Sequence, residues 1–226
     1  MKKLLYIPII HMGPDLGSVA VVLDEMSASF YGEERWAKHK ETLAKFWTNI
    51  ADYFTNVDAT TLKIYQDGLP ADGELGRKIV EESAKRGSKN HQIILDLIKR
   101  GAEIRKTEDT VLLKVEYESI TKLNQAKSSA DRKRAIADYK IRRNRLTRER
   151  DKFIAKTIDE TLKEGETGVL FIGSYHDILP HLSKDIAVEQ VREREKINAY
   201  FEELIAGKNE KRLVELAEYL ISPCVR

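Results

Sequence analysis

The sequence predicts an α/β fold: a mixed central sheet built from two related halves, flanked by helices, with a long helical hairpin inserted. Three observations carry this reading. Short apolar runs rich in β-branched residues, Leu4–Ile10 and Val169–Ile172, have the pattern of strands buried on both faces. Amphipathic stretches with helical spacing alternate with them. The two ends also echo each other, since YIPII precedes His11 and VLFI precedes the GSYH turn that carries His176.

The elements follow in order. After Leu4–Ile10 come Gly13 and Pro14, and Asp15 is placed to cap a helix through LGSVAVVLDEM. Glu33 to Phe54 carries Trp36, Leu43, Phe46, Trp47 and Ile50 on one helical face, and Thr61 to Tyr65 reads as a short strand. Two helices, Glu74 to Arg86 and Ser88 to Arg100, are divided by Gly87 and closed by Gly101. Ala102 to Arg105 is a third strand. Val111 to Leu123 and Asp131 to Leu162 form the hairpin, spanning 111–163 within a single domain over 1–226. Beyond the strand at Val169, helices are expected at Lys184 to Ile205 and Lys208 to Ile221.

Composition narrows the partners. Of 226 residues 42% are hydrophobic, enough for a core, and 39 basic residues nearly balance 37 acidic ones. A formal charge of +2 gives no global attraction to nucleic acid or membrane. Ten basic residues crowd Asp131–Lys152, but they are spread around the helix with only Tyr139 for stacking, so an oligomer-forming or solvated hairpin is expected rather than a nucleic-acid site. The lone Cys224 fits a reducing, cytoplasmic location. No run approaches the roughly 20 apolar residues that span a bilayer.

Imidazole suits both metal binding and proton transfer near neutral pH. His11 and His176 each follow a strand, where ligands bind in open α/β sheets; the alternative is a hydrogen-bonded histidine at a strand end. His39 and His91 lie in charged helices and are expected to be solvated, and His181 is a loop residue or a third site member. Carboxylates come from Asp15, Asp67, Glu108, Asp109 or Asp177, of which Glu108 stands best between strand and helix. Two histidines and Glu108 are a donor set for a divalent metal, Mn, Zn or Co, whose bound water becomes a nucleophile. No G-x-S-x-G elbow, phosphate loop, G-x-G-x-x-G or H-E-x-x-H motif is present.

The block RERDKFIAKTIDETLKEGETGVLFIGSYHDI, Arg148–Ile178, resembles the TraB/PrgY and TIKI proteins of the erythromycin esterase/ChaN-like superfamily. The matching features are Arg150–Asp151 opening a helix, the VLFI strand, and the G-x-x-H turn Gly173–His176. The family's first G-x-x-H turn is met only by Pro8–His11, without the glycine. The resemblance implies two related halves with the site between them, and metal-dependent hydrolysis of a peptide or ester bond in a small-molecule or peptide substrate. His11, His176 and Glu108 would hold the metal, and Arg150 would steady substrate or developing negative charge. The competing expectation is a non-catalytic binding or regulatory protein that forms homo-oligomers through the hairpin.

Overall fold

A computed structural model of the chain describes residues 1–10, 28, 31–125 and 128–224. Five strands, β1 (Lys2–Ile9), β2 (Leu62–Gln66), β3 (Glu103–Arg105), β4 (Thr167–Gly173) and β5 (Ile186–Gln190), form one sheet in the order β3-β2-β4-β1-β5. Seven described helices surround it: α1 (Glu33–Phe54), α2 (Gly73–Lys85), α3 (Lys89–Lys99), α4 (Thr110–Gln125), α5 (Ser129–Thr161), α6 (Arg194–Ala206) and α7 (Glu210–Ile221).

Every described pairing is parallel, so the mixed sheet expected from the sequence is corrected to an all-parallel one. A parallel sheet must be covered on both faces, and alternate residues of its strands divide accordingly. Leu5, Ile7, Ile64, Val169 and Phe171 meet α1, α3, α6 and α7 on one face, with Phe46, Ile94, Ile197 and Leu220 among the buried partners. Leu4, Tyr6, Tyr65, Leu170 and Ile172 face Ile154, Ile158 and Leu162 on the other. That packing explains why β1 and β4 show unbroken apolar runs: each side of each strand is interior. It also explains Gly168 at the sheet centre, where a Cβ would stand 2.8 Å from Leu4 Cδ1 and 3.2 Å from Tyr65 Cε2.

One element differs in kind from its expectation. The segment Lys184–Ile205 reads locally as one helix, but Ile186–Gln190 is the edge strand β5, registered against Lys2–Tyr6, and the helix starts only at Arg194. Ala187, Glu189 and Gln190 carry little strand preference of their own, so the pairing with β1 overrides local propensity. His39 is a second correction. Expected to be solvated, it is buried because α6 packs over α1, and its Nδ1 lies 2.9 Å from the Tyr200 hydroxyl. Burial pushes this imidazole down to about 4, which keeps it neutral at ordinary pH. His91 is half-buried, with Nδ1 2.7 Å from Ser88 Oγ.

Because all strands run the same way, their carboxyl ends lie along one edge of the sheet. Ile9 pairs with Gly173 there, the Ser174 amide donates to the Ile9 carbonyl at 3.1 Å, and Asp67 follows the end of β2. Helices α4 and α5 follow β3 and pack against each other beside this edge.

Candidate functional site

The site begins with a turn stitched by its own backbone. After β2 the chain reverses at Asp67–Gly68, where Gly68 takes φ 81°, a conformation that side chains rarely adopt. The amides of Thr107 and Glu108 both donate to the Leu69 carbonyl, at 3.0 and 3.1 Å, and the Thr107 hydroxyl donates to the Gln66 carbonyl. The segment after β3 is thereby laid against the segment after β2. Glu108 is left with no exposed surface, so its carboxylate must find partners inside.

Arg150, reaching in from α5, supplies them. Its Nε donates to Glu108 Oε2 at 3.0 Å and its Nη2 to Glu108 Oε1 at 2.6 Å, a two-toothed pairing. Nη2 also donates to Asp67 Oδ1 at 2.7 Å, and Nη1 to Glu116 Oε2 of α4 at 2.6 Å. Burial pushes the Glu108 carboxyl upward while Arg150 pulls it down. The net shift is upward, although Arg150 Nε and Nη2 and the Gly68 amide all donate to its two oxygens and favour the charged form. Burial opposes the Arg150 charge, yet Glu108, Asp67 and Glu116 outweigh it and raise its pKa further.

The neighbouring residue, Asp151, turns toward β4. Its Oδ1 lies 2.5 Å from His176 Nδ1, and its Oδ2 accepts from the Asp177 amide at 3.2 Å, which fixes the turn that carries the histidine. The His176 carbonyl accepts from Arg194 Nη1 at 2.7 Å, and Asn198 Nδ2 donates to the Ser174 carbonyl at 3.1 Å, so α6 clamps the same turn. His176 Nε2 stands 3.6 Å from Asp67 Oδ2, too far for a hydrogen bond, while that oxygen accepts from the Gly173 amide at 3.1 Å. Burial lowers the His176 pKa, but Asp67 and Asp151 more than offset it, and the net shift is upward.

The structure brings together Glu108, Arg150 and His176 with Asp67, another of the candidate carboxylates, and adds Asp151 and Glu116. His11 and Asp15 lie outside the described residues. Asp109 does not join: its Oδ1 accepts from the amides of Val111 and Leu112 at 2.7 and 3.3 Å and caps α4. Asp177 is exposed and pairs with Arg194, and His181 is exposed in a short 3-10 turn. Asp151 was visible as half of the Arg-Asp pair, although its service to His176 was not. Glu116 had no signal beyond being one acid on an amphipathic helix.

These contacts test the expected metal site. Both Glu108 oxygens accept from Arg150, and Oε1 also accepts from the Gly68 amide at 3.2 Å, so Glu108 is not a metal ligand in this arrangement. Asp67 Oδ1 accepts from Arg150 and Oδ2 from the Gly173 amide, so with His176 Nε2 these residues fall short of the three ligands that catalytic zinc ordinarily takes from protein. Among the described residues no group of three or more His, Cys, Asp and Glu is placed to hold an ion. The described residues therefore do not fit the metal centre expected from the sequence. None of them forms a helix long and apolar enough to cross a membrane. Compared with known proteins, the chain matches no family model, no curated protein and no solved structure.

Replacing Arg150 tests the cluster. Arg150→Met removes the one guanidinium shared by Asp67, Glu108 and Glu116, and unfolding in urea at neutral pH is expected to show a loss of about 3–5 kcal/mol. The gap from the unmodified protein narrows as pH falls, because the stranded carboxylates take up protons in the folded variant. A loss below about 1 kcal/mol, constant with pH, would show that the cluster does not bind as described.

Proposed function

We propose that the chain is a hydrolase of peptide or ester bonds in which His176 handles the proton and Asp151 holds it in position. The observation that carries this is the two-sided setting of the imidazole: Nδ1 is anchored at 2.5 Å by Asp151, and among the described residues Nε2 has no hydrogen bond at the carboxyl edge of a parallel sheet. Anchoring Nδ1–H to a carboxylate leaves Nε2 as the acceptor in the neutral ring, the tautomer a general base needs. In the forward step Nε2 takes a proton from water as the oxygen attacks the acyl carbon. The imidazolium then returns that proton to the leaving oxygen or nitrogen as the acyl bond breaks. Arg150 fixes Asp67, Glu108 and Glu116 and presents Asp151 beside it; with most of its N–H groups spent on carboxylates, it is a positioning residue.

The likeness to TraB/PrgY and TIKI proteins supports the same reading, because Arg150, Asp151 and the G-x-x-H turn that suggested it are the residues that meet here. The reading of two related halves draws support from β1 and β4, the strands with matching tails, which lie side by side in the sheet. A Mn, Zn or Co ion would need donors beyond the described residues, His11 being the expected one, and no step is assigned to it. A cytoplasmic location fits the single Cys224.

A second reading is favoured by one observation. Val111, Tyr117 and Ile141 on α4 and α5 are 67%, 72% and 75% exposed, an arrangement suited to a hairpin that pairs with a second copy. Deleting the hairpin is a poor test of it, since α4 supplies Glu116 to Arg150.

Two measurements follow. Hydrolysis of p-nitrophenyl acetate is expected to rise with pH through a midpoint above the ordinary histidine value of about 6.5, because Nε2 must lose its proton to act. His176→Ala should lower kcat by about 10²–10⁴ and Asp151→Asn should move the midpoint to lower pH; equal rates in all three proteins would end the hydrolase reading. Light scattering should report a homo-oligomer that Tyr117→Glu together with Ile141→Glu dissociates, whereas a monomer before substitution would remove the pairing role.

A further inference from the structure

Resting on the hydrolase reading, we propose that Arg143 and Tyr175 form a recognition subsite for a carboxylate, so that the substrate is a small ester or amide carrying a negative charge. Arg143 stands seven residues before Arg150 on α5, two helical turns or about 10 Å along the axis, and therefore on the same face as the cluster. Its guanidinium lies over the ring of Tyr175, 5.8 Å from the centroid, and Tyr175 immediately precedes His176.

The chemistry of the pair points to an anion. Arg143 and Tyr175 are exposed, Tyr175 by 52%. Stacking engages the flat face of the guanidinium and leaves its edge, with the N–H donors, directed elsewhere. Among the described residues Arg143 has no acidic partner, unlike Arg150, whose charge is more than matched by Asp67, Glu108 and Glu116. A negative group on the substrate thus meets a spent arginine inside the cluster and an unspent one at its rim. At 100° per residue, Arg142, Arg145 and Arg148 project from other sides of α5 and do not add to Arg143. Glu202 also lies near the Tyr175 ring and acts on it. One guanidinium beside one acid suits a single carboxylate better than a doubly charged phosphate or a nucleic-acid strand.

The test is binding, read without turnover on the full chain. Glutarate, a short dicarboxylate, is titrated calorimetrically into the unmodified protein and into Arg143→Ala, Arg143→Lys, Tyr175→Leu and Arg148→Ala. Glutarate is expected to bind, with affinity falling about tenfold or more in Arg143→Ala, the scale of a lost charge-assisted hydrogen bond. Arg143→Lys should fall between, keeping the charge without the planar fork. Tyr175→Leu should weaken binding, and Arg148→Ala, with the same change of net charge, should match the unmodified protein. The subsite is overturned if glutarate does not bind, if Arg148→Ala weakens it as much as Arg143→Ala, or if inorganic phosphate binds more tightly than glutarate. Arg143-dependent binding in a protein that hydrolyses no ester would retain the subsite and remove the hydrolase reading.

Discussion

Arg150 is where four separate stretches of chain meet. Its guanidinium joins Asp67 after β2, Glu108 after β3 and Glu116 on α4, and its neighbour Asp151 reaches the turn after β4. Sequence separations of 83, 42 and 34 residues are closed by these bonds. Each group is largely withdrawn from water, so none of the charges is tolerable without the others. An apolar set of the same volume would serve stability at least as well in many proteins. That a charged set stands here, at the carboxyl edge of a parallel sheet and against a histidine whose Nε2 has no hydrogen bond among the described residues, is the physical ground for reading it as a functional site.

The charge arrangement also orders the histidine chemistry. Asp67 and Asp151 stand beside His176, and their negative charge favours the protonated imidazole despite its burial and the opposing charge of Arg150. His176 therefore contributes stability in its charged form, present below the ordinary histidine range and lost as pH rises through its raised pKa. On the proposed reading, proton transfer and stability pull in opposite directions: the neutral ring would accept a proton, and the charged ring holds the cluster together. A site that must lose some stability to become a base is a familiar consequence of placing function in buried electrostatics.

Much of this was legible in the sequence where local pattern and three-dimensional cause coincide. β1 and β4 were visible because a parallel strand buried on both faces needs apolar residues at every position, and α1 because Leu43, Phe46, Trp47 and Ile50 repeat at helical spacing. β5 was not, since Ile186–Gln190 owes its form to hydrogen bonds with Lys2–Tyr6, residues that no local window contains. His39 sits in a charged stretch and became a core residue only through the packing of α6. Glu108, Arg150 and His176 could be singled out by their positions beside strands and glycine turns. What they do to one another could not, because Glu108 as a metal ligand and Glu108 as the partner of Arg150 are the same letter in the same loop.

The most direct test of the account is the titration of the His176 Hε1 proton by NMR, in the unmodified protein and in Asp151→Asn. The account predicts a midpoint above about 6.5 that moves down when Asp151 loses its charge. A midpoint below that value, or one indifferent to Asp151, would contradict the central claim that His176 is held and tuned as the proton-handling group of this site.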